Sequence, residues 1–196
     1  MASDKTKEKS NKTEKEKTDR PDKGIETMFR VSSANHQRLS DMADNKANIM
    51  ITVNAIILSA ILSLLLRRLE DQPYLIFPTF LLITVSLVTI IFSILSTRPS
   101  IPDGAFTHQD VDDKKVNLLF FGNFYNMPLT EYKAAMLKTM EDREMLYGNL
   151  IMDGYAQGVI LGKKYRLLRV AYNIFMFGLI ASVIAFCVVS VLNTKD

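Results

Sequence analysis

The polarity of the chain changes abruptly at Ala47. Before it, Ile25, Met28, Phe29, Ser32, His36, Leu39 and Ala43 recur at three- and four-residue spacing, the signature of one face of an amphipathic helix over residues 24–46. After it come 20 residues without a charge, Ala47 to Leu66. Two further uncharged runs, Tyr74 to Ser96 and Val170 to Leu192, hold 23 residues each. At about 1.5 Å rise per residue, each run crosses a hydrocarbon core of roughly 30 Å. No Pro or Gly lies between Ile25 and Leu66, so the amphipathic segment and the first span are predicted as one helix across the membrane surface.

A second long helix is predicted from Thr130. Thr130 is a capping residue, and Glu131 suits the positive end of the helix dipole. Tyr132, Met136, Met140, Tyr147, Ile151 and Tyr155 form its apolar stripe, and no proline interrupts the run through Arg169 into the third span. Between the second span and this helix, RPSIPDGAF is rich in breakers. NLLFFGNFYNMP is a short aromatic segment, either strand-like or a loop, that packs on the helices or dips into the membrane interface. The fold class expected is an all-α membrane protein. Three transmembrane helices carry two long cytosolic helical extensions that form a small stalk-like domain. The divisions are 1–23 (charged tail), 24–46 (helix), 47–66 (span), 74–96 (span), 97–129 (irregular), 130–169 (helix) and 170–192 (span).

Charge adds a direction. Of the 24 Lys and Arg residues, 21 lie in residues 1–46 and 97–169, and 3 lie in the hairpin and the C-terminal end. By the positive-inside rule the N-terminus and the long loop face the cytoplasm. Arg67 and Arg68 in the hairpin are a mild objection. The tail, residues 1–23, has Met1 as its one large apolar side chain; it cannot offset its ordering entropy and is expected to be disordered. Formal net charge is only +3, so a solvated tail is favoured over a nucleic-acid arm. Cys187 is the only cysteine, and His36 and His108 lack ligand spacing. Neither a disulfide framework nor a metal site is expected, and no cofactor is called for. There is no nucleophile motif, P-loop or Rossmann fingerprint, so a catalytic role is not expected.

Polar residues at the mouth of the first span raise the functional question. Asp41 and Asp44 share a helix face, Lys46 stands at the entrance, and Asn48 and Asn54 enter with the apolar residues. Lys46 either snorkels to lipid headgroups or meets a partner on another helix. Asn54 is eight residues beyond Lys46, about 12 Å into the hydrocarbon. There it ties spans together, or it lines a wet path or specifies an oligomer. Gly154, Gly158 and Gly162 repeat at four-residue spacing, which suggests close helix contact; a flexible junction is the other reading.

Two runs carry a family resemblance. ANHQRLSDMADNKANIMITVNAIILS holds Ala43, Asp44, Lys46 and Ala47, then Asn54. EYKAAMLKTMEDREMLYGNLIMDGYAQGVILGKKYRLLRVAYNIFMFGL holds Leu161, Lys164 and Tyr165 before an aromatic-rich span. Over about residues 25–192 the chain resembles the Pycsar effector transmembrane family of bacterial antiphage proteins. The resemblance implies a membrane effector that responds to cyclic CMP or cyclic UMP made by a cyclase on infection. It implies impairment of the inner membrane and death of the cell before phage mature. Residues 97–169 lack the alternating strands of a conventional cyclic-nucleotide β-roll. Recognition would therefore rest on the helices, on a contact between subunits, or on a partner.

On this reading Arg38, Asp41, Asp44, Lys46 and Lys164 are ligand-binding or gating candidates. Asn48, Asn54, Gly154, Gly158 and Gly162 are pore or helix-packing candidates. The expected partners are the bilayer, a cyclic pyrimidine nucleotide, further copies of the chain and, functionally, a nucleotide cyclase; nucleic acid is not among them. Three spans make a poor pore alone, hence a homo-oligomer. The alternative is a constitutive membrane scaffold or accessory subunit that anchors a cytosolic enzyme.

Overall fold

The structure, a computed structural model, describes residues 2–65, 72–99, 104–113 and 116–193, with side chains from Lys23 onward except at 64, 65, 108 and 112. The tail contributes backbone to the start of the first helix, while its side chains through Asp22 lie outside the described residues, as does the hairpin 66–71. Among the described residues five α-helices follow in order: α1 (Ala2–Ala60), α2 (Ile76–Thr97), α3 (His108–Asp112), α4 (Leu129–Glu141) and α5 (Arg143–Asn193). A π-helical turn, Ile61–Leu65, continues α1. No strand occurs among the described residues. Three helices are long and apolar enough to cross a membrane, within Lys23–Ser63, Pro73–Thr97 and Arg143–Asn193. The chain is an all-α membrane protein.

Two compact units divide it: residues 1–38 with 101–158, and residues 39–100 with 159–196. In the first, Val111, Val116, Leu118, Ala135 and Met145 are buried together, with Phe106 and Met136 packed on them. The aromatic segment is therefore turns and a 3₁₀ turn (Phe121–Asn123) that pack on helices. Its buried backbone is satisfied by side chains, as burial requires. Leu118 N donates to Asn149 Oδ1 at 2.8 Å, and Asn123 Nδ2 donates to the Asn117 carbonyl at 2.7 Å. Thr107 and Asp110 form a capping box at the start of α3. Gly104 has φ +76°, and a Cβ there would run into the Tyr125 ring; only glycine suits that turn.

The helix expected over 130–169 is interrupted. Asp142 leaves helical geometry at φ −104° and ψ 105°, and its Oδ1 accepts from Glu144 N at 2.9 Å and Met145 N at 3.1 Å. That is an N-cap for α5. A capping bond to a carboxylate competes with continuing the helix, and the stripe of apolar positions carries no mark of it.

The second unit buries more small and hydroxyl-bearing residues. The buried face of α2 is Pro78, Thr79, Val85, Ser86, Thr89, Ser93 and Ser96. From α5, Ala171 and Ser182 are buried, and from α1, Ala43, Ala47, Met50 and Asn54. The large apolar residues Phe77, Phe80, Ile91, Phe177 and Ile184 face outward. Close approach is achieved at Gly178, where a Cβ would lie 2.5 Å from both Val85 Cγ atoms.

Candidate functional site at the mouth of the second unit

Where the charged part of α1 meets its apolar run, α5 arrives alongside. Ala43 and Ala47 are buried against Leu168, with Tyr165 packed on the cluster. The small side chains let the helices approach, so that flanking polar groups reach across. Lys164 Nζ donates to both carboxylate oxygens of Asp44 at 2.8 Å and to Ser40 Oγ at 2.9 Å. The side chains are 16% exposed for Lys164 and 36% for Asp44. From the adjacent position, Tyr165 Oη donates to the Leu39 carbonyl at 3.1 Å. Lys46 Nζ sits 5.9 Å from the centre of the Tyr165 ring, within cation–π range.

This clamp unites three of the residues singled out by sequence. Asp44 and Lys164 pair directly, and Lys46 meets the neighbour of Lys164. Arg38 and Asp41 are exposed and stand outside it. Ser40 and Tyr165 were not counted as site residues. Ser40 lies four residues before Asp44 on the same helix face, a spacing that could have marked it.

The asparagines separate. Asn48 is exposed, whereas Asn54 is 0% exposed. Asn54 Nδ2 donates to the Met50 carbonyl of its own helix at 2.8 Å. Its Oδ1, and Ser86 Oγ on α2, are buried with no hydrogen-bond partner among the described residues. The seam's other hydroxyls bond back into their own helix: Thr79 to Leu75, Thr89 to Val85, Ser93 to Thr89, Ser182 to Gly178. A Cβ added at Gly154, Gly158 or Gly162 would meet nothing within 4 Å. Within one chain these glycines make no close helix contact; Gly178 does. No group of His, Cys, Asp and Glu suited to a metal occurs among the described residues.

Chemically, the mouth is a partly exposed ion pair flanked by a serine hydroxyl and a tyrosine. It joins α1 to α5 through side-chain contacts. A family model, the Pycsar effector protein domain, matches residues 27–191. No curated protein and no solved structure matches the chain.

Proposed function

The chain belongs to the Pycsar effector family, and from that membership we propose that it is the membrane-acting arm of a cyclic-nucleotide antiphage response. Cyclic CMP or cyclic UMP from a cyclase activates it, and copies of the chain then impair the inner membrane and abort infection. The N-terminus and long loop face the cytoplasm. The observation that carries this reading is the clamp of Asp44, Lys164 and Ser40, placed where the charged segments become spans. A ligand that redistributes charge on α1 or α5 weakens the clamp and frees the spans to repack. The seam between the spans favours such repacking, because its hydroxyls satisfy their own helices and lock little across the interface.

The nucleotide has a candidate receiving surface in the first unit. Glu26, Phe29, Arg30, Ser33 and Asp153 line a cleft there, with Phe29 stacked on Tyr147 at 6.5 Å between ring centres. The aromatic face suits a base, the serine hydroxyls and the Glu26 and Asp153 carboxylates suit base N–H and ribose hydroxyl groups, and Arg30 is the one cation among the described residues lining the cleft for a phosphate.

The test is dye-reported membrane potential in cells that make the protein and receive cyclic CMP, cyclic UMP or cyclic AMP. A fall in potential with a pyrimidine nucleotide alone supports the reading. An unchanged potential with all three, at normal protein level in the membrane, sinks it and leaves the scaffold.

A further inference from the structure

Beside the clamp, Lys46, Tyr165, Leu168, Arg169 and Tyr172 line a cleft of about 410 Å³. Two cations converge on it, and no Asp or Glu lines it. Lys164, the neighbour of Tyr165, is already matched by Asp44. Lys46 and Arg169 have no ion pair among the described residues. Both are exposed, while Leu168 beneath them is buried. Lys46 immediately precedes Ala47, and Arg169 immediately precedes Val170. Each therefore stands at the first residue before an uncharged run, the level at which a span meets lipid headgroups. Tyr165 and Tyr172 suit the same level, with an apolar ring and a polar tip.

The geometry points to a binding site for the phosphate diester of an anionic phospholipid, held between α1 and α5. Lys46 supplies a point charge and Arg169 a planar fork that can meet two phosphate oxygens at once. The Tyr172 ring and the outward Met176 and Phe177 continue the cleft along α5 as an apolar track for an acyl chain. A soluble phosphate would gain the charges but not the track, which is why the lipid is the occupant. A zwitterionic lipid would bring its own cation against Lys46 and Arg169. The lipid would tie α1 to α5 next to the clamp, independently of the nucleotide reading.

The full-length protein is placed in nanodiscs of phosphatidylcholine with or without phosphatidylglycerol, and retained lipid is counted by native mass spectrometry. The wild type should keep phosphatidylglycerol in preference to phosphatidylcholine. Each cation near the surface is worth about a fivefold preference, so K46Q/R169Q should lose about 25-fold. K163Q/R166Q, which removes two charges near the same surface but outside the cleft, should lose less than K46Q/R169Q; an equal loss in both overturns the cleft as a site and leaves general surface attraction. If the double variant does not fold, Lys46→Gln and Arg169→Gln are read singly, each at about fivefold. Equal retention of the two lipids by the wild type, or an unchanged preference in K46Q/R169Q, overturns the proposal. So does tighter binding of a cyclic mononucleotide than of phosphatidylglycerol, when that binding depends on Lys46 and Arg169. That result would give the cleft to a soluble anion.

Discussion

The first unit buries mainly large apolar side chains, with Asn117, Thr139 and Asn149 among them, whereas the second buries small and hydroxyl-bearing residues beside Met50, Ile61, Val85 and Leu168. In the first, Val111, Val116, Leu118 and Met145 are inside, and Glu26, Arg30 and Lys133 are exposed. In the second, Thr79, Ser86, Thr89, Ser93, Ser182 and Asn54 are inside, and phenylalanines and isoleucines are outside. The solvent accounts for the difference. Water drives large apolar side chains into a core. Lipid tails are as apolar as leucine, so between spans that drive vanishes, and contact rests on close packing of small residues and on polar groups. The first unit should therefore be sensitive to lost volume and the second to added volume.

Leu118→Ala should have the largest effect. The side chain is 0% exposed, and such truncations cost about 2–5 kcal/mol. Limited proteolysis should cut the 104–128 region faster while membrane insertion is unchanged. Phe80→Ala, a change of larger volume at an outward site of α2, should leave both alone. Comparable damage from the two would erase the distinction between the units.

Gly178→Leu comes next. A side chain there collides with Val85, and overpacking costs about 1–3 kcal/mol. Crosslinking between cysteines placed on α2 and α5 should fall, and Val85→Ala should restore much of it. Gly158→Leu, which meets open space, should leave that crosslink intact. Loss of crosslinking between copies in Gly158→Leu would assign the 154–162 glycines to contacts between chains.

Asp44→Asn keeps the size and removes the charge from Lys164. The pair is half-buried, so the expected cost is about 1–2 kcal/mol, between a surface and a buried pair. Lys164→Gln added to Asp44→Asn should cost less than Asp44→Asn alone, because no unmatched ammonium remains. The readout is membrane potential. Asp44→Asn should depolarise at a lower nucleotide dose than the wild type if the clamp holds the closed state. An unchanged dose response would make the clamp an anchor and nothing more.

Asn54→Leu is expected to be smallest in stability, within about 1 kcal/mol of the wild type. The Asn54 amide bonds within its own helix and leaves one oxygen unmatched, so its removal also relieves a desolvated group. A variant that inserts, assembles and fails to depolarise would give Asn54 a path-lining role. Normal depolarisation would leave it structural.

The spans were legible in the sequence for a physical reason. A long run without charges has few solutions besides a membrane helix, and composition alone identifies it. The amphipathic stripes marked α1 and α4 as helices but not their buried faces: Met28, Leu39 and Met140 are exposed, and α4 buries Ala135 and Thr139 instead. The cap at Asp142 was not, since one aspartate in a polar run reads equally as a surface charge. The inward role of the serines and threonines of α2 was also illegible. Hydroxyls at those spacings can face lipid or protein, and only the neighbouring helix decides.

Asp44 and Lys164 were each conspicuous alone, yet nothing local links residues 120 apart in the chain. By itself the sequence determined that this is a three-span helical protein with charged helices entering the membrane, because hydrophobic length and charge are local properties. Only the tertiary structure decided that Lys164 meets Asp44, that Gly178 and not Gly158 is the tight glycine, and that Asn54 is sealed while Asn48 is open. Those outcomes depend on how one helix is rotated against another. That rotation is set by side-chain shapes summed over the whole contact, and no single residue records it.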